Sequence, residues 1–75
     1  MKKLLTLENE IGDIAEIYRN YAPHRGIFYN YQVIDKQQVF IHRSSMPFWH
    51  YTSAKTAAQY VLNDRIKRSL ADAQE

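Results

Sequence analysis

The chain has 75 residues, enough for one domain with a thin core and too few for a separate substrate domain. It has no cysteine, which excludes a disulfide scaffold and a thiolate metal site. The formal net charge is only +2, so charge alone does not argue for nucleic-acid binding. The first apolar run stops at Glu8, short of a leader peptide, and no later stretch reaches membrane-spanning length. We therefore expect a cytoplasmic protein with no membrane partner.

The first stretch of the chain predicts an amphipathic helix that ends at residues 20–23. Its apolar side chains recur at spacings of three and four, which places them on one helical face. Thr6 is a candidate N-cap, and Ala22 precedes a proline, which disfavours helical angles. Gly12 weakens such a helix by about 1 kcal/mol relative to alanine. For "KKLL", residues 2–5, a short strand is the alternative. The apolar face comprises Leu4, Leu7, Ile11, Ile14, Ala15, Tyr18 and Tyr21.

The middle of the chain predicts a β-hairpin. "IFYNYQVI" and "QVFIHR" alternate β-branched and aromatic residues with period two, and "DKQQ" joins them. No Asn-Gly pair marks the turn, so the register is open by at least one residue, and a slip of one exchanges the two faces. Pairing Val33 with Val39 gives an apolar face of Ile27, Tyr29, Tyr31, Val33, Val39 and Ile41. The opposite, mixed face then carries Phe28, Asn30, Gln32, Ile34, Phe40 and His42.

After a break at "SSMP", the segment "FWHY" is a candidate third strand, because two strands alone are marginal in water. Residues 52–74 then predict a helix capped by Thr52 or Ser53. Small side chains on its apolar stripe allow a close approach to the sheet. That stripe comprises Ala54, Ala57, Ala58, Val61, Leu62, Ile66 and Leu70.

These elements predict a single α+β domain over residues 1–75 with the order α-β-β-(β)-α. Two helices would pack on one face of a two- or three-stranded antiparallel sheet. The other face of the sheet would be wholly or partly open.

Three histidines raise the question of a metal or an acid–base site. His24, His42 and His50 are 18 and 8 residues apart, without a helical pair or a carboxylate at ligand spacing, so we predict no metal and no cofactor. A histidine next to an arginine, as in His24–Arg25 or His42–Arg43, suits phosphodiester cleavage. Both pairs also fit ordinary exposed positions, and we predict no catalytic residue.

The predicted order of elements resembles the HicA class of small ribonuclease toxins. That class has a helix, a three-stranded sheet and a helix at similar length, with a catalytic histidine before the first strand. His24 lies near the corresponding place, although it stands in "APHRG" and not in the Gly-Ser-His context of that class. The resemblance implies a ribonuclease toxin as the enzymatic alternative.

Nucleic-acid binding is the second functional hypothesis. Double-stranded RNA modules share the α-β-β-β-α order but need a lysine cluster at the start of the second helix, where this chain has Lys55 alone. Single-stranded nucleic acid remains an option, because aromatic rings with arginine and histidine on an open sheet form a stacking platform.

The favoured hypothesis is a non-enzymatic binding or regulatory protein with a protein partner. Exposed aromatic and arginine side chains with few lysines are typical of interface hot spots. Trp49 in "MPFWHY" is either a core residue or an anchor for the partner. A homodimer through the open face is a further option, and size alone suits an accessory protein of a phage or plasmid. The predicted binding residues are Phe28, Phe40, His42, Arg43, Phe48, Trp49 and Tyr51.

Overall fold

The computed structural model describes residues 1–73 and contains four antiparallel strands followed by one helix. The strands lie side by side in chain order, so each pairs with its neighbour in the sequence. The helix packs on one face of the sheet, across the two central strands. The result is a small α+β domain with an open sheet. Its elements are β1 (Lys2–Glu8), β2 (Ile14–Ala22), β3 (Gly26–Ile34), β4 (Phe40–Arg43) and α1 (Tyr51–Ala73).

The predicted first helix is wrong, because residues 2–22 form the β1–β2 hairpin. The turn is organised by the Asn9 side chain, whose Oδ1 accepts hydrogen bonds from the backbone N of Ile11 at 3.2 Å and of Asp13 at 2.9 Å. Gly12 adopts a φ of +89°, a conformation that other residues rarely adopt. Local side-chain bonds of this kind compete with helix formation. The short-strand alternative for residues 2–5 is confirmed, since they belong to β1.

The predicted middle hairpin is confirmed, but its register differs. Val33 pairs with His42 instead of Val39, and a bulge interrupts the pairing of β3 with β4. Val39 lies in the turn and is exposed, because the Asp35 carboxylate accepts a hydrogen bond from its backbone N at 2.9 Å. The turn between β3 and β4 is therefore longer than the predicted pairing of Val33 with Val39 allows.

The segment 48–51 does not form a third strand of its own. Only Phe48 makes a bridge, with Tyr29 of β3, and the helix begins at Tyr51, just before the predicted cap residues. The end of the predicted helix at Gln74 lies outside the described residues.

The core between helix and sheet is thin. Ala54 and Ala58 are completely buried, so the helix lies close to the sheet as the small residues predict. Leu70, which the periodicity placed on the same stripe, is 60% exposed, because residues 67–72 are all exposed beyond the packed part of the helix. The buried apolar residues are Ala15, Ile17, Tyr31, Val33, Ala54, Ala58 and Leu62.

A polar cluster fastens the β1–β2 turn to the helix. Asn9 Nδ2 donates to the carbonyl of Leu62 at 3.0 Å and to the Asp13 carboxylate at 3.1 Å. Arg65 Nε lies 3.2 Å from the same carboxylate, and Asp13 is only 2% exposed. The buried charge is thus paired and hydrogen-bonded, as burial requires.

We expect Asn9→Ala to reduce the free energy of unfolding by about 2–3 kcal/mol, because several hydrogen bonds are lost and buried partners lose their bonds. The exposed Asn63 of α1 provides the matched control, and Asn63→Ala should change stability by less than about 0.5 kcal/mol. Urea denaturation measures both. Equal stabilities of the two variants would contradict the role of Asn9.

Gly12→Ala should be more destabilising than Gly26→Ala. Both glycines have positive φ, at +89° and +80°, where a side chain costs about 1–2 kcal/mol. At Gly12 a new Cβ would also lie 3.1 Å from Lys36 Cβ, whereas nothing lies within 4 Å at Gly26. Thermal denaturation of the two variants tests this order, and the reverse order would refute the crowding at Gly12.

Candidate functional site

The face of the sheet opposite the helix forms the candidate site, and we call it the open face. Side chains alternate across β2 and β3, so the neighbours of the buried residues on these strands point away from α1. The pairing with β1 and β4 extends the same face to both edges. The open face carries Lys3, Thr6, Glu8, Ile14, Glu16, Tyr18, Asn20, Phe28, Asn30, Gln32, Ile34, Phe40 and Arg43.

A hydrogen-bonded polar group occupies the centre of the open face. Gln32 Nε2 donates to Glu16 Oε1 at 3.0 Å and lies 3.4 Å from the hydroxyl of Tyr18. Lys3 Nζ forms an ion pair with Glu16 Oε2 at 3.2 Å. These four side chains come from three adjacent strands, so the sheet itself holds them in place.

The electrostatics of this group keep one negative charge at the centre of the face. The hydrogen bond from Gln32, followed by the bond and charge of Lys3, holds the pKa of the Glu16 carboxyl below its ordinary value, although burial acts in the opposite direction. Burial and the neighbouring Glu16 charge raise the pKa of Tyr18. At neutral pH the carboxylate is therefore ionised and the phenol is protonated.

An aromatic pair stands at one end of the open face. The rings of Phe28 and Trp49 meet edge to face, with centroids 6.4 Å apart and an interplanar angle of 72°. Trp49 is 53% exposed although it packs on Phe28. A cleft of about 260 Å³ lies beside the pair. The cleft is lined by Arg25, Phe28, Asn30, Ser44, Ser45, Met46, Pro47 and Trp49.

The loop before α1 is hydrogen-bonded to β3, and these bonds position Trp49. The backbones of Phe48 and Tyr29 exchange two hydrogen bonds, at 2.7 and 2.8 Å. The ring of Phe48 packs against buried Tyr31, with centroids 6.0 Å apart. Because Phe48 is directed to the helix side, Trp49 reaches the opposite face. The "MPFWHY" segment thus divides between core and surface.

A second exposed aromatic residue lies at the β4 edge of the open face. The guanidinium carbon of Arg43 lies 5.9 Å from the ring centroid of Phe40, within cation–π range. Phe40 is 57% exposed, and β4 is the last strand of the sheet on this side. Both residues are therefore accessible to a partner.

Three of the predicted binding residues lie on the helix side of the sheet. His42 Nε2 is 3.1 Å from the Tyr31 hydroxyl, because the bulge in the β3–β4 pairing directs His42 away from Phe40 and Arg43. Tyr51 packs edge to face on Tyr29, with centroids 6.1 Å apart. Phe48 is the third. The sheet therefore brings Phe28, Phe40, Arg43 and Trp49 to one face and separates His42, Phe48 and Tyr51 from them.

Several residues of the open face were missed by the sequence prediction. Glu16 and Tyr18 fell within the predicted first helix, so they were not assigned to a sheet face. The sequence signal for a strand was weak, because the apolar residues of "IAEIYRNY" recur at helical spacing and alternate only incompletely with period two. Arg25 lies in the β2–β3 turn, and only the tertiary structure brings it beside Trp49.

The histidines do not form a common site. His24 lies in the β2–β3 turn between two strands, so the helix-first order on which the ribonuclease resemblance depends is absent from residues 1–73. Among the same residues, no three histidine, cysteine, aspartate or glutamate side chains group as metal ligands would. No helix in the described part of the chain has the length and apolarity to cross a membrane.

Comparisons of the chain with models of protein families, with curated proteins and with solved structures find no match.

Replacing Gln32 by alanine should raise the pKa of the Glu16 carboxyl toward its ordinary value, since the main cause of the depression is removed. Because the folded-state pKa lies below the unfolded-state value, Glu16 stabilises the fold above the unfolded pKa. That contribution is lost as the pH falls through the folded pKa. NMR titration of the Glu16 side chain measures the change, with the exposed Gln37→Ala as control. An unchanged pKa in the Gln32 variant would contradict the assigned cause.

Proposed function

We propose that this chain is a small non-enzymatic binding protein and that its open face binds a protein partner. The observation that carries the proposal is the pair of exposed Trp49 and half-buried Phe28, with the cleft beside them that Arg25 lines. Tryptophan and arginine dominate interface hot spots, and such residues bind best in pockets from which water is excluded. A cleft of about 260 Å³ suits one apolar side chain of a partner.

The extent of exposed surface supports a partner of macromolecular size. The chain exposes 5612 Å², whereas a monomer of this mass typically exposes about 4,800 Å². The radius of gyration is 13.5 Å, against roughly 11 Å for a compact domain of this length. The excess area is roughly 800 Å². The exposed helix end at residues 67–72 contributes to it, together with exposed rings such as Phe40 and Trp49.

The charge distribution favours a protein over a nucleic acid. The central Glu16 carboxylate is ionised and paired with Lys3, so the centre of the face offers no uncompensated cation to phosphates. Lys3 is already paired with that carboxylate, so Arg25 and Arg43 at the periphery are the remaining cations of this surface. A face that is nearly neutral, with polar groups fixed by hydrogen bonds, suits a mixed polar and apolar protein surface.

The predicted binding residues then have two roles. Phe28, Phe40, Arg43 and Trp49 would contact the partner directly. Phe48 would hold the loop that presents Trp49, because its backbone and ring are fastened to β3. His42 and Tyr51 would contribute only through the packing of the helix side.

We expect Trp49→Ala to weaken partner binding by roughly 30-fold or more, as truncation of a hot-spot tryptophan does. Tyr60→Ala is the matched control, because Tyr60 is an aromatic residue of α1 that is 73% exposed on the other side of the molecule. Affinity capture from the native host with the wild type and both variants, followed by titration of the captured protein, measures the effect. Trp49 is also the only tryptophan, so its fluorescence should shift on binding.

The Trp49→Ala variant should keep the circular dichroism spectrum of the wild type. A loss of binding is then not due to a loss of the fold. Equal binding by the two variants would refute the role of the open face. If the wild type instead captures a nucleic acid, with an affinity that falls steeply with salt, the partner is a nucleic acid and not a protein.

A further inference from the structure

The outer edge of β1 offers a second interaction surface. β1 is an edge strand of seven residues, and within residues 1–73 nothing pairs with its outer side. The opposite edge of the sheet is better protected, because β4 has only four residues and Ser44 and Phe48 continue to bond β3 beyond it. A long unpaired edge is a template for pairing with another strand.

The side chains of β1 are arranged so that the strand complements itself when it runs antiparallel to a second copy. Lys3, Thr6 and Glu8 lie on the open face, where they are paired with Tyr18, Glu16 and Ile14. Leu5 and Leu7 lie on the helix side and pack against the core. The bulge at Leu4 removes one residue from the alternation, and this places Lys3 on the same face as Glu8.

We propose that β1 pairs with β1 of a second copy of this chain about a two-fold axis at Thr6. In this register Leu5 lies opposite Leu7 of the second copy. Because Leu4 is the extra residue of the bulge, Lys3 and not Leu4 then lies opposite Glu8 of the second copy. Thr6 meets its own equivalent on the axis. Opposite charges, leucine pairs and threonine pairs are all favourable across antiparallel strands. Glu8 forms no ion pair within the described residues, so its carboxylate is free for this contact.

A groove beside β1 provides apolar surface next to the edge where the second copy would bind. It lies between β1 and α1 on the helix side and has a volume of about 700 Å³. Leu7, Leu62 and Ile66 contribute apolar surface to it. The leucines of the second β1 would lie next to this groove and extend the thin core across the edge.

The dimer would form one continuous sheet of eight strands. Because the axis is perpendicular to the sheet, both helices lie on one side and both open faces on the other. The two Phe28–Trp49 pairs remain uncovered, so the dimer leaves the aromatic end of the open face accessible, although Lys3, Thr6 and Glu8 at its β1 edge take part in the dimer contact. The dimer proposal therefore stands or falls separately from the proposed function.

Charge variants test the register. Glu8→Lys places lysine opposite Lys3 at both ends of the contact and should weaken the dimer roughly tenfold or more. Lys3→Glu places glutamate opposite Glu8 at both ends of the contact and should weaken the dimer to a similar extent. An equimolar mixture of the two variants should form a heterodimer as tight as the wild type, because both opposing pairs are then of opposite sign. Analytical ultracentrifugation measures each dissociation constant, and Glu10→Lys in the neighbouring turn is the control for charge alone.

A cysteine at the axis provides a second measurement. The chain has no cysteine, so Thr6→Cys introduces a single thiol. Directly opposite residues on antiparallel strands have Cα atoms about 4.5–5.5 Å apart, which permits a disulfide. Thr6→Cys should therefore form a disulfide-linked dimer under mild oxidation much faster than Ser45→Cys, a control at an exposed serine in the loop after β4.

A wild-type chain that stays monomeric at the highest concentration that remains in solution would overturn the proposal. So would a dimer that is insensitive to Glu8→Lys and forms no Thr6→Cys disulfide, because its interface would lie elsewhere. Recovery of the dimer in the mixture of Lys3→Glu and Glu8→Lys, but in neither variant alone, would support the proposed register.

Discussion

The hydrogen bonds of the Asn9 side chain connect the first hairpin to the helix, and the remaining architecture depends on them. The same amide closes the β1–β2 turn and donates to the carbonyl of Leu62 in α1. The ion pair of Asp13 with Arg65 strengthens this junction at a buried position. Without the hairpin, β1 would not complete the sheet, and the open face would lose Lys3 from its central polar group. One local turn thus connects the first hairpin to the helix and brings Lys3 to the polar group of the opposite face.

The thin core explains why so much of the molecule is surface. Alanines at the helix–sheet contact bring the two layers close but bury little apolar area per residue. The larger aromatic rings are divided between core and surface. Tyr31 is buried, whereas Phe40 and Trp49 are more than half exposed. A domain of this length has a small margin of stability, so partners that cover its surface also contribute to its stability. The open face and the edge of β1 are the two surfaces proposed for such partners.

The open face combines a rigid centre with accessible ends. Glu16, Gln32 and Tyr18 are fixed by hydrogen bonds across strands, so little side-chain entropy remains to be lost there on binding. The exposed rings of Phe40 and Trp49 stand at the periphery and supply apolar area. The carboxylate at the centre of this face is paired with Lys3.

The elements whose own period matches their structure, β3 and α1, were predicted from the sequence, whereas β1 and β2, whose apolar residues recur at helical spacing, were not. Alternation in residues 27–34 and the alanine stripe after residue 52 correspond to β3 and α1. The apolar residues of 4–21 recur at helical spacing, and the period alone could not weigh the hydrogen bonds of Asn9 in the turn against a helix. His42 was assigned to the wrong face because a bulge, which no pattern marked, shifted the alternation by one residue.

The sequence by itself determined the α+β class, the middle hairpin, the final helix and the aromatic excess of residues 27–51, because these follow from composition and local periodicity. Only the tertiary structure decided which aromatic rings share a face. That choice depends on the register of β4 and on the pairing of Phe48 with Tyr29. It also decided that Glu16 and Gln32 meet, since residues on separate strands come together only when the sheet forms. Long-range pairing of this kind is set by the packing of the whole domain, which a single strand does not encode.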